Sequence, residues 1–144
     1  MLGVIGGSGL YSLEGLAVDD RLTFDTKYGK QSAPVVTGKL GEGRLAFLPR
    51  HGEDHSIAPH LINYRANLAA LKEAGVTRVL AVCSAGGINP DAGPGTVVVP
   101  DQLIDYTWGR RQTIDDEDWP DSHIDFTRPF SDDWRNQEID DLAG

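Results

Sequence analysis

Residues 59–83 read PHLINYRANLAALKEAGVTRVLAVC, and this stretch decides the fold. Its first part sets Leu61, Tyr64, Leu68 and Leu71 at steps of three, four and three, which lines one face of a helix, with Gly75 as the C-terminal stop. Its last part, Val79 to Cys83, is an unbroken apolar run of the kind expected for a strand buried on both faces. A helix followed by a buried strand predicts an α/β domain built on a central mixed sheet flanked by helices.

Working outward, Leu2 to Ile5 is a short apolar run that stops at Gly6-Gly7-Ser8-Gly9, a strand entering a tight loop. PVVTGKL from Pro34 and RLAFL ending at Leu48 flank Gly41-Glu42-Gly43, which predicts a β-hairpin. Thr96 to Val99, after the turn-rich NPDAGPG, reads as another buried strand, and WRNQEIDDLAG at the end reads as a helix just beginning. One clear helix cannot cover both faces of such a sheet. The fold is therefore expected to be incomplete by itself, its bare face covered by another subunit or by more chain.

The composition bounds the function. With 144 residues, 40% hydrophobic and 24% charged, the chain is expected to be one domain, residues 1–144. No apolar run approaches the 18 residues of a membrane span, and MLGVIGGSGL lacks the basic leader of a secretory signal, so a cytoplasmic protein without a membrane partner is expected. Cys83 is the single cysteine, which rules out an internal disulfide and a four-cysteine zinc site. The net charge of −9 sits at one end: residues 1–114 hold 11 acidic and 11 basic side chains, whereas residues 115–144 hold 11 acidic side chains against Arg128 and Arg135. Neither part supplies the basic face that a nucleic-acid partner requires, and the acidic segment reads as a solvated surface.

Candidate chemistry lies in several clusters. A strand running into Gly-Gly-Ser-Gly is a phosphate-cradle pattern, because glycines let backbone N–H groups approach an anion and the Ser8 hydroxyl adds a donor. It is neither a Walker loop nor a convincing dinucleotide fingerprint, and a plain tight turn is the alternative. Arg50-His51 follows the second hairpin strand, and a planar guanidinium beside an imidazole makes an oxyanion clamp; the alternative is a surface Arg with a capping His. His51, His55 and His60 invite a metal reading, but Gly52 and Pro59 argue against a helix there and the pattern is not H-E-x-x-H, so no metal is assigned. Cys83-Ser84-Ala85-Gly86-Gly87 closes the second strand where ligands of α/β sheets usually lie, and Cys83 is expected to be small, buried and hydrogen-bonded rather than nucleophilic. Trp108, Trp119, Phe126 and Phe130, large groups set among charges, point to a subunit interface or to a lid on the same subunit.

In order along the chain, VIGGSGL, LPRHGEDH, INYRANLAALKEAGV, AVCSAGGI, VVPDQLIDYTWGR and HIDFTRPF resemble the methylthioadenosine phosphorylase branch of the trimeric purine nucleoside phosphorylases. The last two look most like the bacterial methylthioinosine phosphorylases. The resemblance covers essentially the whole chain and implies the nucleoside phosphorylase fold, here truncated. It implies phosphorolysis, in which inorganic phosphate attacks the ribose C1′ of a purine nucleoside and releases free base and pentose 1-phosphate. Phosphate is then a co-substrate and no cofactor is called for. Carried over, Ser8, Arg50, His51, Cys83 and Ser84 would hold phosphate, Ala85 and Gly86 would pass beside the nucleoside, and His123 would reach a neighbour's pocket across a homotrimer interface. The acidic residue that engages the purine would lie beyond Gly144, so no catalytic acid is named. A truncated, non-catalytic chain that keeps the phosphate site or the oligomer interface is the alternative.

Overall fold

The computed structural model describes residues 1–114 and 125–143. They form two compact units, Met1–Ala85 and Gly86–Gly144. The first unit carries a five-stranded mixed sheet: β1 (Leu2–Gly6), β2 (Ala17–Leu22), β3 (Val35–Leu40), β4 (Gly43–Pro49) and β5 (Arg78–Ala81), in the order β2-β3-β4-β1-β5. β1 runs parallel to β4 and β5, and β2, β3 and β4 are antiparallel. The hairpin expected around Gly41 is the β3–β4 turn, with Leu40 opposite Gly43 and Gly41 at φ 56°, a left-handed backbone that suits glycine.

Alternation along β4 sends Ala46 and Leu48 to one face and Leu45 and Phe47 to the other. On the first face Ala46 and Leu48 pack with Val35, Ala70 and Leu71. On the second, Leu45 and Phe47 pack with Val4, and Leu10, Leu13 and Leu16 close over them. This part of the second face is therefore covered by a leucine-bearing loop, not left bare.

Helix α1 (Tyr64–Glu73) is fixed at both ends. The Asn63 side chain accepts from the Ala66 N–H at 3.1 Å, an N-cap, while its amide donates to the Tyr28 carbonyl at 2.7 Å. At the other end Gly75 takes φ 85°, its N–H donates to the Lys72 carbonyl and that of Val76 to the Leu71 carbonyl, a Schellman stop. The buried residues, however, are Ala66, Asn67, Ala70 and Leu71, whereas Leu61 and Leu68 are exposed. The inward face is thus set by Leu71 together with two alanines, whose small side chains let the helix approach the sheet. Asn67 is buried by hydrogen bonding, accepting from the Ser32 N–H at 2.7 Å and donating to the Ser32 hydroxyl at 2.9 Å. Leu71→Ala and Leu48→Ala should each cost about 2–5 kcal/mol in urea denaturation, and Leu68→Ala under about 0.5. Equal losses at Leu68 and Leu71 would contradict this helix orientation.

Two strand expectations need correction. β5 is an edge strand pairing with β1, and Val79 is 41% exposed, so the run Val79–Cys83 is not buried on both faces. Thr96–Val99 forms no strand; Val97 and Val98 are exposed, and a β-rich run without a hydrogen-bonded neighbour gains nothing from extension. Conversely β2, AVDDRL, is exposed almost throughout and carries no apolar signal, yet it pairs with β3 through a bulge between Val18 and Asp20. In the second unit, α2 (Asp132–Ala143) starts with Asp132 and Asp133, which suit a helix N-terminus, and Arg135 donates to the Pro100 carbonyl at 3.2 Å. Asp105 accepts from both the hydroxyl and the N–H of Thr107, which holds its carboxyl below the usual carboxylate range. Among the described residues no helix is long and apolar enough to cross a membrane.

Candidate functional site

Strand register brings the candidate residues together. Gly6 at the end of β1 lies opposite Pro49 at the end of β4, and Ile5 lies opposite Ala81 at the end of β5. Two further backbone bonds extend these ladders into the loops: Arg50 N–H to the Gly6 carbonyl and Val82 N–H to the Ile5 carbonyl, both 3.0 Å. The loops that follow three adjacent parallel strands thus start side by side, at the carboxyl edge where α/β sheets hold ligands.

Arg50 ties them together. Its guanidinium lies against Gly7, so close that a Cβ there would stand 2.6 Å from Cζ and Nη1. Its Nη1 donates to the Val82 carbonyl at 2.8 Å. One side chain from the end of β4 therefore crosses the glycine loop after β1 to reach the chain after β5. Of five guanidinium N–H donors, the Val82 bond uses one. Ser84 approaches from the β5 side, its hydroxyl donating to the Ser8 carbonyl at 3.2 Å. Ser8, Arg50 and Ser84, chosen from separate parts of the sequence, share one neighbourhood. Two of its glycines are closely approached: a Cβ on Gly6 would collide with the Leu10 carbonyl, and one on Gly7 would meet the guanidinium.

His51 is 6% exposed and held by its own loop. Its Nδ1 is 2.9 Å from the Ile57 carbonyl, and since a carbonyl can only accept, Nδ1 carries the proton and Nε2 is the nitrogen left for chemistry. The Ile57 N–H returns to the His51 carbonyl at 2.9 Å, and Gly52 at φ 82° makes the reversal possible. Further along the loop the Ser56 hydroxyl donates to Asp54 at 2.6 Å and holds that carboxyl below the usual range, so Asp54 is ionised at neutral pH. Glu53 pairs with Arg21 of β2.

Cys83 is exposed, not buried, because the strand it follows lies at the sheet edge. Ser84, Ala85 and Gly86 are exposed as well; Ala85 ends the first unit and Gly86 opens the second. His123 and Trp119 lie outside the described residues. His60 sits in an exposed 3₁₀ turn, Pro59–Leu61, and among the described residues no three His, Cys, Asp or Glu side chains converge as a metal group. Two features had no signal in the sequence reading. The Val82 carbonyl is a backbone group, and the ring of Tyr11 meets that of His55, which in turn meets His51.

Known proteins match the chain along nearly its whole length. The family model described as Phosphorylase superfamily matches residues 1–142. A Xylella fastidiosa (strain 9a5c) protein named "Probable S-methyl-5'-thioinosine phosphorylase" is 51% identical over 131 residues, 90% of this chain and 55% of the relative. An S-methyl-5'-thioadenosine phosphorylase of Mycolicibacterium smegmatis is 50% identical over 131 residues, 90% of this chain and 49% of the relative. Among solved structures, methylthioadenosine phosphorylase from Schistosoma mansoni in complex with adenine superposes with a TM-score of 0.88 at 36% identity, covering 96% of this chain and 52% of that one. The chain spans about half the length of the relatives it matches. With the family model matched from residue 1 to residue 142, this chain belongs to the phosphorylase superfamily.

Proposed function

We propose that this chain carries the phosphate-binding half of a purine nucleoside phosphorylase acting on 5′-methylthio purine nucleosides. The observation that carries the reading is the Arg50 guanidinium laid across Gly7 between the ends of three strands, a cation set against the glycine loop where the Ser84 hydroxyl meets the Ser8 carbonyl. In the reaction a phosphate oxygen forms a bond to the ribose C1′ while the C1′–N bond breaks, its electron pair leaving with the purine. The products are free base and pentose 1-phosphate. The transition state has oxocarbenium character, and a phosphate anion fixed beneath the ring supplies both nucleophile and countercharge.

Ser8, Arg50, His51, Cys83 and Ser84 hold the phosphate in this reading, and Ala85 and Gly86 border the nucleoside. Phosphate is a co-substrate, with no further cofactor or metal. The group that assists departure of the base belongs to the half that the relatives possess and this chain does not span. The working protein is a cytoplasmic homotrimer in which His123 closes a neighbour's pocket. Trp108 and Phe126, 90% and 53% exposed, are consistent with an interface in the segment 108–130.

The 144-residue chain should bind inorganic phosphate but release no base from methylthioinosine, methylthioadenosine or inosine. Joined to the remaining half of a relative, it should turn over a methylthio nucleoside in a phosphate-dependent manner. Base release by the 144-residue chain would overturn the division of labour, and failure to bind phosphate would remove the site.

A further inference from the structure

We propose that Tyr11 and His55 form an aromatic clasp that sets the shape of the anion cradle, acting as positioning residues; this rests on the phosphate reading of the site. His55 has φ 57°, left-handed backbone in a residue that carries a Cβ. Such a conformation is disfavoured unless its surroundings hold it, and it concentrates where loops serve a function. Two rings hold it here. The His55 imidazole lies 4.8 Å from that of His51 at 47°, and the Tyr11 ring meets it edge-on at 5.3 Å and 76°. The edge-to-face arrangement of Tyr11 on His55 is one in which aromatic rings attract.

The clasp joins the two loops that matter. Tyr11 follows Leu10, whose N–H closes the glycine turn on the Gly7 carbonyl at 3.0 Å, so its ring is anchored to the loop that carries Ser8. His55 belongs to the turn that carries Arg50 and His51, and its N–H approaches the Gly52 carbonyl at 3.5 Å. Core packing does not account for the contact, since Tyr11 is 41% exposed and His55 is exposed. Nor is it the tether to the sheet, a part taken by the Arg21–Glu53 pair. What the ring contact adds is a link between Ser8 on one loop and His51 on the other, with the left-handed residue turning the imidazole to make it.

The test is titration of the 144-residue chain with inorganic phosphate by calorimetry, together with imidazole nitrogen NMR on the phosphate-free protein. Tyr11→Ala and His55→Asn, the latter tolerating the left-handed backbone, should each weaken phosphate affinity about three- to tenfold, the scale of one aromatic pair. The double variant should be no weaker than the worse single, because both remove the same contact. Tyr11→Phe keeps the ring and should stay within about twofold. Additive losses, or unchanged affinity in both singles, overturn the clasp. If the unsubstituted chain does not bind phosphate, the anion reading falls instead. The clasp is then judged on the phosphate-free spectrum, where Tyr11→Ala should shift the His55 and His51 signals and leave His60 in place; an unmoved His51 overturns it.

Discussion

Arg50→Ala is expected to remove useful phosphate binding, with a loss of roughly 2 to 5 kcal/mol if the bound anion shields the charge contact from water, or about 30-fold to several-thousand-fold in affinity. The size follows from what the side chain does. Its guanidinium rests on Gly7 and donates to the Val82 carbonyl, so it supplies positive charge and also holds the glycine loop and the chain after β5 in one arrangement. Alanine removes both. Arg50→Lys should recover only part of the affinity, since a single ammonium cannot bond to the Val82 carbonyl and present a planar fork to the anion together. Calorimetric titration with phosphate measures all three proteins. Equal affinity in the lysine variant would mean that charge alone matters, and equal affinity in the alanine variant would place the anion elsewhere.

That convergence was legible in the sequence because each part has a local signature. A strand that stops at paired glycines and an Arg-His pair just after a hairpin are both read without knowing the fold. What the sequence did not disclose depends on partners distant along the chain. β2 is AVDDRL, polar and exposed, and it is a strand because β3 offers it an edge. Leu10, Leu13 and Leu16 cover a sheet face although they belong to no helix or strand. Cys83 read as buried on the strength of the apolar run before it, yet that run ends an edge strand and the thiol is exposed. Which side of α1 faces inward is likewise not set by large apolar residues alone: burial follows fit, which favours Ala66 and Ala70, and hydrogen bonding, which favours Asn67.

Adjacent glycines in the loop after β1 should respond to the same substitution in opposite ways. A Cβ on Gly6 would overlap the Leu10 carbonyl oxygen and stand 2.8 Å from Cζ of Phe47, a ring that is 2% exposed. One obstacle is the backbone of the turn and the other a core side chain, so neither can yield cheaply. Gly6→Ala should cost roughly 3 kcal/mol, the upper part of the range for overpacking, and lower the unfolding midpoint with or without phosphate. A Cβ on Gly7 instead meets the far end of Arg50, a flexible side chain that can swing aside. Gly7→Ala should therefore leave the unfolding free energy from urea denaturation within about 1 kcal/mol of the parent. The displaced guanidinium then loses the Val82 carbonyl and its place over the loop, where its hydrogen bonds to a bound anion are worth about 1.5–3 kcal/mol. Phosphate affinity in Gly7→Ala should accordingly fall by roughly ten- to a hundredfold. Gly7→Ala that binds phosphate as the parent does would show that the Arg50 position over the glycine loop is incidental. A Gly6→Ala variant with an unchanged midpoint would show that the turn has room the structure denies it.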